Sequence, residues 1–287
     1  MSIVPYVKLS RPKQWTKNLF VFGALFFSRQ MFEADKVLHA LLTFVAFCLI
    51  SSAVYVLNDI VDVEKDRQHP KKKHRPLAAG TIKIPGAIVY GVLLLAGALL
   101  LALSIGWQVT AVLLAYFVMN ILYSFWLKHV VLVDVFVIAL GFVFRVTAGS
   151  YALPVDPSEW LLLCTLLLAL FLGLSKRRAE LLLLASGAKS HRKILDEYSD
   201  DKLIDQLISV VSAATIMAYA LYTFNTQAGT QMMYTIPFVI YAIFRYLFLV
   251  YKRERGGEPA NILLGDKPFL AACVLWALTA FLLIYLP

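Results

Sequence analysis

Long apolar stretches recur along the chain, separated by short polar loops. A membrane-crossing helix needs about 20 mostly apolar residues. On that measure the pattern predicts nine helical spans, at about 18–33, 37–58, 84–106, 108–127, 130–152, 159–175, 203–224, 232–251 and 268–286. The first is short and the weakest of the set. The fourth ends at Trp126 and the ninth at Tyr285, aromatic residues suited to the membrane–water boundary. No repeat of fixed period and no low-complexity linker divides the chain. The expected fold is all-α: a polytopic membrane protein forming one domain over residues 1–287, a bundle of nine transmembrane helices.

Composition agrees. Of 287 residues, 60% are hydrophobic and 13% aromatic, too apolar for a soluble domain of this size. The formal net charge of +9 would suggest nucleic acid in a soluble protein. Here position explains it. With nine spans, 23 of the 27 Lys and Arg residues fall in loops on one side, and only Arg29 and Lys36 fall in loops on the other. Lys and Arg mark the cytoplasmic face. The N-terminus and the basic loops are therefore expected in the cytoplasm and the C-terminus outside, with no nucleic-acid partner. The polar, basic N-terminal segment lacks an apolar core followed by a small-residue cleavage site, so no cleaved signal peptide is expected. Cys48, Cys164 and Cys273 lie far apart within apolar stretches and read as small packing residues.

Residues 58–80, NDIVDVEKDRQHPKKKHRPLAAG, break the apolar pattern with four acids, four lysines, two arginines and two histidines. On a helix, Asn58, Asp62 and Asp66 share one side at i, i+4 and i+8. Asp59 joins them and Glu64 points elsewhere. Like charges at this spacing repel, and the C-terminal end of a helix disfavours anions. The face therefore needs a cation. Hard oxygen donors suit Mg²⁺, which commonly links one or two carboxylates to substrate phosphates. The plainer reading is a solvated loop in which Asp66 pairs with Arg67 or Lys72.

The stretch NDIVDVEKD resembles the first Asp-rich motif of the UbiA superfamily of intramembrane prenyltransferases. HPKKKHRPLAAG resembles that family's basic tail, RPKQWTKN its opening element, and YSFWLK (Tyr123 to Lys128) its aromatic–Lys element. The resemblance covers essentially the whole chain and implies a nine-span architecture. Members that use a prenyl diphosphate usually carry a second Asp-rich motif at the end of span six. Here that position reads LGLSKRRAELLLL, with Lys176, Arg177 and Arg178 where acids would be expected and only Glu180 acidic. Cationic side chains pair directly with phosphate oxygens. A displaced second motif in DEYSDDKLIDQ, through Asp196, Asp200, Asp201 and Asp205, is the rival reading. Its alternative is Ser199 as an N-cap with acids in the first turn of span seven.

Taken together these segments resemble one branch, the decaprenyl-phosphate phosphoribosyltransferases. That resemblance implies transfer of 5-phosphoribose from phosphoribosyl pyrophosphate to a polyprenyl monophosphate, with Mg²⁺, in a bacterial inner membrane. The expected catalytic residues are Asp62, Asp66, Lys128 and Lys176. Lys17, Asn58, Asp59, Arg75, Tyr123, Asp134, Arg177 and Glu180 are the expected substrate contacts, and Asn58, Asp62 and Asp66 the metal ligands. Several keep a second reading. Lys17 also fits the inside-positive pattern, Tyr123 and Lys128 fit interfacial anchoring, and Asp134 fits a structural pair with a Lys or Arg of a neighbouring helix. Lys71, Lys72 and Lys73 suit either substrate or lipid headgroups. Arg145 and Arg245, within spans, are expected to pair structurally or to snorkel. Two other functions compete: prenyl transfer to an aromatic acceptor, which needs the missing acids, and transport of anionic lipid, which fits poorly with charge gathered at one face.

Overall fold

The computed structural model describes residues 3–70, 72–185, 201–225, 229–252, 262 and 265–286. Among the described residues all regular structure is helical: α1 (Val4–Leu9), a 3₁₀-helix (Pro12–Phe22), α2 (Gly23–Phe27), α3 (Ala34–Val61), α4 (Val63–Gln68), α5 (Ile84–Ile105), α6 (Trp107–Phe125), α7 (Val133–Ala152), α8 (Glu159–Ala185), α9 (Asp201–Phe224), α10 (Ile236–Lys252) and α11 (Lys267–Tyr285). Short 3₁₀ turns lie at Lys72–His74, Leu127–His129 and Gly229–Thr235. Eight helical segments among them are long and apolar enough to cross a membrane. Nine such helices were expected; among the described residues the first predicted span, 18–33, is not a long α-helix but the end of the 3₁₀-helix followed by the short α2.

The sequence of that segment explains its shape. Trp15, Asn18, Val21 and Ala24 recur every third residue, and a 3₁₀-helix brings i and i+3 onto one line. The Trp15 indole N–H donates to Ser52 Oγ at 3.1 Å, and the Asn18 amide donates to Ser51 Oγ and Cys48 Sγ, both at 3.3 Å. Val21 is fully buried and Ala24 nearly so. An α-helical turn would rotate this stripe away from α3. The partners step backwards along α3, from Asp59 against Arg11, through Ser52, Ser51 and Cys48, to Phe44 against Phe22 and Ala40 beside Ala24 and Leu25. Residues 11–25 therefore run antiparallel along most of α3.

The chain divides into two compact units, one of Met1–Val130 with Gly141–Pro157, the other of Val131–Leu140 with Ser158–Pro287. In the first, α5 and α6 reverse direction through the single residue Gly106, and Pro85 stands in the first turn of α5, where its missing N–H costs nothing. Val21, Phe47, Ile50, Leu113, Tyr116 and Ala148 form its main core. A second cluster of Leu9, Val56, Val63, Leu77, Ile82 and Ala87 underlies the charged loop 62–83. Leu77 and Ile82 are loop residues, so the loop is plugged into the protein by apolar side chains, and Gly80 supplies the positive φ of its turn (+73°).

Side-chain ties between helices mark the second unit. Asp205 on α9 accepts from Arg178 Nε of α8 at 2.7 Å and from the Tyr251 hydroxyl of α10 at 2.9 Å, while the Arg178 guanidinium lies 4.1 Å from the Tyr251 ring centre. Arg245 of α10 forms a two-pronged pair with Asp266 (3.0 and 2.9 Å), whose carboxylate also caps α11 through the Phe269 N–H. Arg245 is thus paired as expected. Arg145 is buried in the first unit, but its partners are neutral: Asn18 Oδ1, the Gly141 carbonyl and the Tyr116 hydroxyl, within a ring of Phe47, Tyr116 and Phe142. It neither snorkels nor meets a carboxylate among the described residues.

Candidate functional site

The NDIVDVEKD stretch straddles a break. Asp62 ends α3 and precedes α4, yet its N–H still bonds the Asn58 carbonyl and the Asp66 N–H bonds the Asp62 carbonyl, at 3.0 and 2.8 Å. The i, i+4, i+8 spacing therefore survives the break. Its side chains do not form one undivided acid face. They sort into two sets, each neutralised by cations of the first unit.

Asp59 and Asp66 make the first set. Both are 3% exposed. Arg75 Nη1 bridges them, 3.1 Å from Asp59 Oδ1 and 2.5 Å from Asp66 Oδ2. Arg11 Nη2 also donates to Asp59 Oδ1, and Lys72 Nζ lies 3.8 Å from Asp66. Arg67 turns away to Glu64 at the surface, which places Glu64 apart from the other acids as the spacing predicts.

Asn58 and Asp62 make the second set, against the end of α6. The Ser124 hydroxyl donates to Asn58 Oδ1, and Lys128 Nζ donates to Asp62 Oδ1 at 2.9 Å. Both pairs are four residues apart, so two matching steps of chain meet: 58 with 124, and 62 with 128. Tyr123 is half-buried beside Ser124. Lys17 is exposed on the 3₁₀-helix.

A hard divalent cation can be tested against these oxygens. Among the described residues no three His, Cys, Asp or Glu side chains stand together as a metal-binding group. Asp59, clasped by two arginines, is closed to a metal. Asp62 is 30% exposed and one lysine holds it, so it is the carboxylate open to one. The donor chemistry of Asn58, Asp62 and Asp66 suits Mg²⁺; a metal would displace Lys128 from Asp62, Arg75 and Lys72 from Asp66, and the Ser124 hydroxyl from Asn58.

In the second unit, Arg177 of α8 is buried and pairs with Asp134 of α7 at 2.6 Å and with Glu180 one turn along. Asp134 is fully buried. Lys176 is exposed and makes no ion pair among the described residues. Arg178 points to Asp205 instead, as its different helical angle requires. That pairing gives Asp205 a structural place. Asp196, Asp200, Lys71 and Ser199 lie outside the described residues.

Two residues of this region escape sequence reasoning. Arg11 lies 48 positions from Asp59, and only the arginine of RPKQW hinted at it. Ser124 sits inside YSFWLK, four residues before Lys128, and the matching four-residue step from Asn58 to Asp62 was the available signal.

Residues 19–265 match the UbiA prenyltransferase family. A decaprenyl-phosphate phosphoribosyltransferase from Corynebacterium glutamicum is 33% identical across 98% of this chain and 86% of its own length. One from Mycobacterium tuberculosis is 34% identical across 95% and 92%. Among solved structures, a UbiA homolog from Archaeoglobus fulgidus bound to GPP and Mg²⁺ superposes with a TM-score of 0.76 at 21% identity, covering 98% of this chain and 99% of that one. A digeranylgeranylglyceryl phosphate synthase gives a TM-score of 0.72 at 21% identity, covering 99% of this chain and 98% of that one.

Proposed function

This chain belongs to the UbiA prenyltransferase family, and on that premise we propose that it transfers 5-phosphoribose from phosphoribosyl pyrophosphate to a polyprenyl monophosphate, releasing pyrophosphate. It is a multi-pass membrane transferase. The observation that carries the proposal is the charge around the NDIVDVEKD stretch: Arg11, Lys72, Arg75 and Lys128 stand against Asp59, Asp62 and Asp66, so the cations are in excess. Such a set suits a substrate rich in phosphate. The long identity to decaprenyl-phosphate phosphoribosyltransferases and the bases of SKRRAE, where a prenyl-diphosphate enzyme needs acids, support the same choice.

In this reading an oxygen of the lipid phosphate attacks the anomeric carbon of the ribose. The bond from that carbon to the pyrophosphate oxygen breaks, with inversion. The nucleophile is already an anion, so no strong base is needed. The protein's contribution is placement and a fixed field of N–H donors. Arg75 and Lys128 hold phosphate oxygens as charge builds on the leaving group. Lys17, Tyr123, Lys176, Arg177, Glu180 and Asp134 are proposed as further substrate contacts or their supports, Asp134 acting through Arg177. Asn58, Asp62 and Asp66 would hold Mg²⁺, which when bound supplies Lewis acidity toward the pyrophosphate. The basic loops are assigned to the cytoplasmic side of a bacterial inner membrane.

The test is incubation of the purified protein with Mg²⁺, labelled phosphoribosyl pyrophosphate and polyprenyl phosphate. Labelled lipid should form, and Asp62→Asn should lower its rate about 100-fold or more. No labelled lipid from the folded parent protein, or prenyl transfer from a polyprenyl diphosphate to an aromatic acceptor, overturns the assignment.

A further inference from the structure

The backbone of Arg11 lies in the left-handed region, at φ 52° and ψ 60°. Residues other than Gly, Asn and Asp seldom adopt it, and the following Pro12 restricts the position further. Backbone strain of this kind persists where the surroundings hold it in place, and it gathers at functional sites. Here the Arg11 side chain ends on Asp59 and lies over the Tyr55 ring, 5.0 Å from its centre.

Asp59 Oδ1 accepts from Arg11 Nη2 and from Arg75 Nη1 together. One buried carboxylate oxygen thus holds two guanidiniums side by side. Like charges so close repel, and Asp59 and Asp66 are outnumbered by Arg11, Arg75 and Lys72. Arg11 Nε and Nη1, and Arg75 Nε and Nη2, bond no acceptor among the described residues. The two side chains are 26% and 29% exposed, enough for a ligand to reach them. Paired guanidinium edges match the oxygens of a phosphoryl group.

We infer that Arg11 and Arg75 form a two-guanidinium seat for a phosphoryl group, with Asp59 as the positioning residue that holds both. Asp59 is then no metal ligand, and Arg11 becomes a substrate-contacting residue of the N-terminal element. The inference deepens the phosphoribosyl-transfer reading and rests on it for the identity of the substrate. The phosphoryl group is either the donor's or the lipid's.

The substitution Arg11→Gly tests it cleanly, because glycine takes the left-handed backbone without strain. The full chain, purified in detergent, is melted, titrated with inorganic phosphate and pyrophosphate, and assayed with each substrate varied in turn. Arg11→Gly should keep a cooperative melt and bind the better of the two anions about 10- to 100-fold more weakly. Arg11→Lys, which keeps the charge and loses the fork, should fall between. One KM should rise while kcat changes little, and Asp59→Asn should raise the same KM. A rise for phosphoribosyl pyrophosphate places the donor in the seat, and a rise for polyprenyl phosphate places the lipid there. Parental anion affinity and unchanged KM values in a folded Arg11→Gly overturn the seat. Should that variant fail to fold, the same result in Arg11→Lys overturns it. The anion titration reads the seat even if the group transferred proves not to be phosphoribose.

Discussion

Asp134 and Arg177 are a carboxylate and a guanidinium taken almost wholly out of solvent, 2.6 Å apart. Desolvating two charges costs several kcal/mol each, and their attraction offsets that only while both are present. Removing one partner leaves the other stranded. Asp134→Leu should therefore destabilise the protein by about 3–5 kcal/mol, and Arg177→Met by a similar amount. The double variant should recover most of the loss, since a buried pair replaced by apolar residues of similar size is often neutral. Chemical denaturation in detergent reads both effects. Activity separates the roles. If Arg177 also meets a substrate phosphate, the double variant regains stability but not turnover; a double variant that regains both makes the pair structural only. The exposed neighbour Lys176 carries no such stability effect, so Lys176→Ala should leave the melt unchanged.

At the scale of helices, two glycines rank differently. A Cβ on Gly149 of α7 would run into the Val21 backbone carbonyl of the 3₁₀-helix, and backbone cannot step aside. A Cβ on Gly173 of α8 would meet a methyl of Val135, 2.7 Å away, a side-chain atom rather than backbone. Gly149→Ala should cost about 1–3 kcal/mol. Gly173→Ala should cost less, because its obstacle is a side-chain methyl rather than backbone, while both variants recover the same helix propensity, about 1 kcal/mol. Equal melting points for the two variants contradict this account. The same contact shows where sequence reading stopped. Eight helices were legible because apolar length alone identifies them. The form of the 3₁₀-helix was not: its second half reads as part of a short apolar span, 18–33, because the stripe of Trp15, Asn18, Val21 and Ala24 takes its shape from partners on α3. The acids of 58–66 were legible from their spacing. Their division between Arg75 and Lys128 was not, because Lys128 lies 66 positions from Asp62, Arg75 stands in an irregular loop whose path no periodicity sets, and a break at Asp62 lets the side chains part.

For the whole molecule the uneven placement of charge makes a claim about sides. The loop after α3 holds Lys65, Arg67, Lys71, Lys72, Lys73, Arg75 and Lys83, whereas the stretch between the 3₁₀-helix and α3 holds only Arg29. Positive loops stay in the cytoplasm. The structure of the first unit adds an independent constraint. Arg11 sits against Asp59 near the last turn of α3, while Phe22 and Leu25 pack near its first turns. Eleven residues of 3₁₀-helix rise about 22 Å, and the five of α2 add about 7.5 Å, close to the ~30 Å of a hydrocarbon core. A segment absent from the eight long apolar helices is thus long enough to separate Lys13 from Arg29 by a membrane. Cysteines placed singly at positions 13, 29 and 73, after replacing Cys48, Cys164 and Cys273 with serine, test both arguments. An impermeant maleimide added to intact spheroplasts should label position 29 alone. In inside-out vesicles it should label positions 13 and 73. Labelling of 13 and 29 from one side would mean that the 3₁₀ segment does not cross, and labelling of 73 in intact spheroplasts would reverse the assigned orientation.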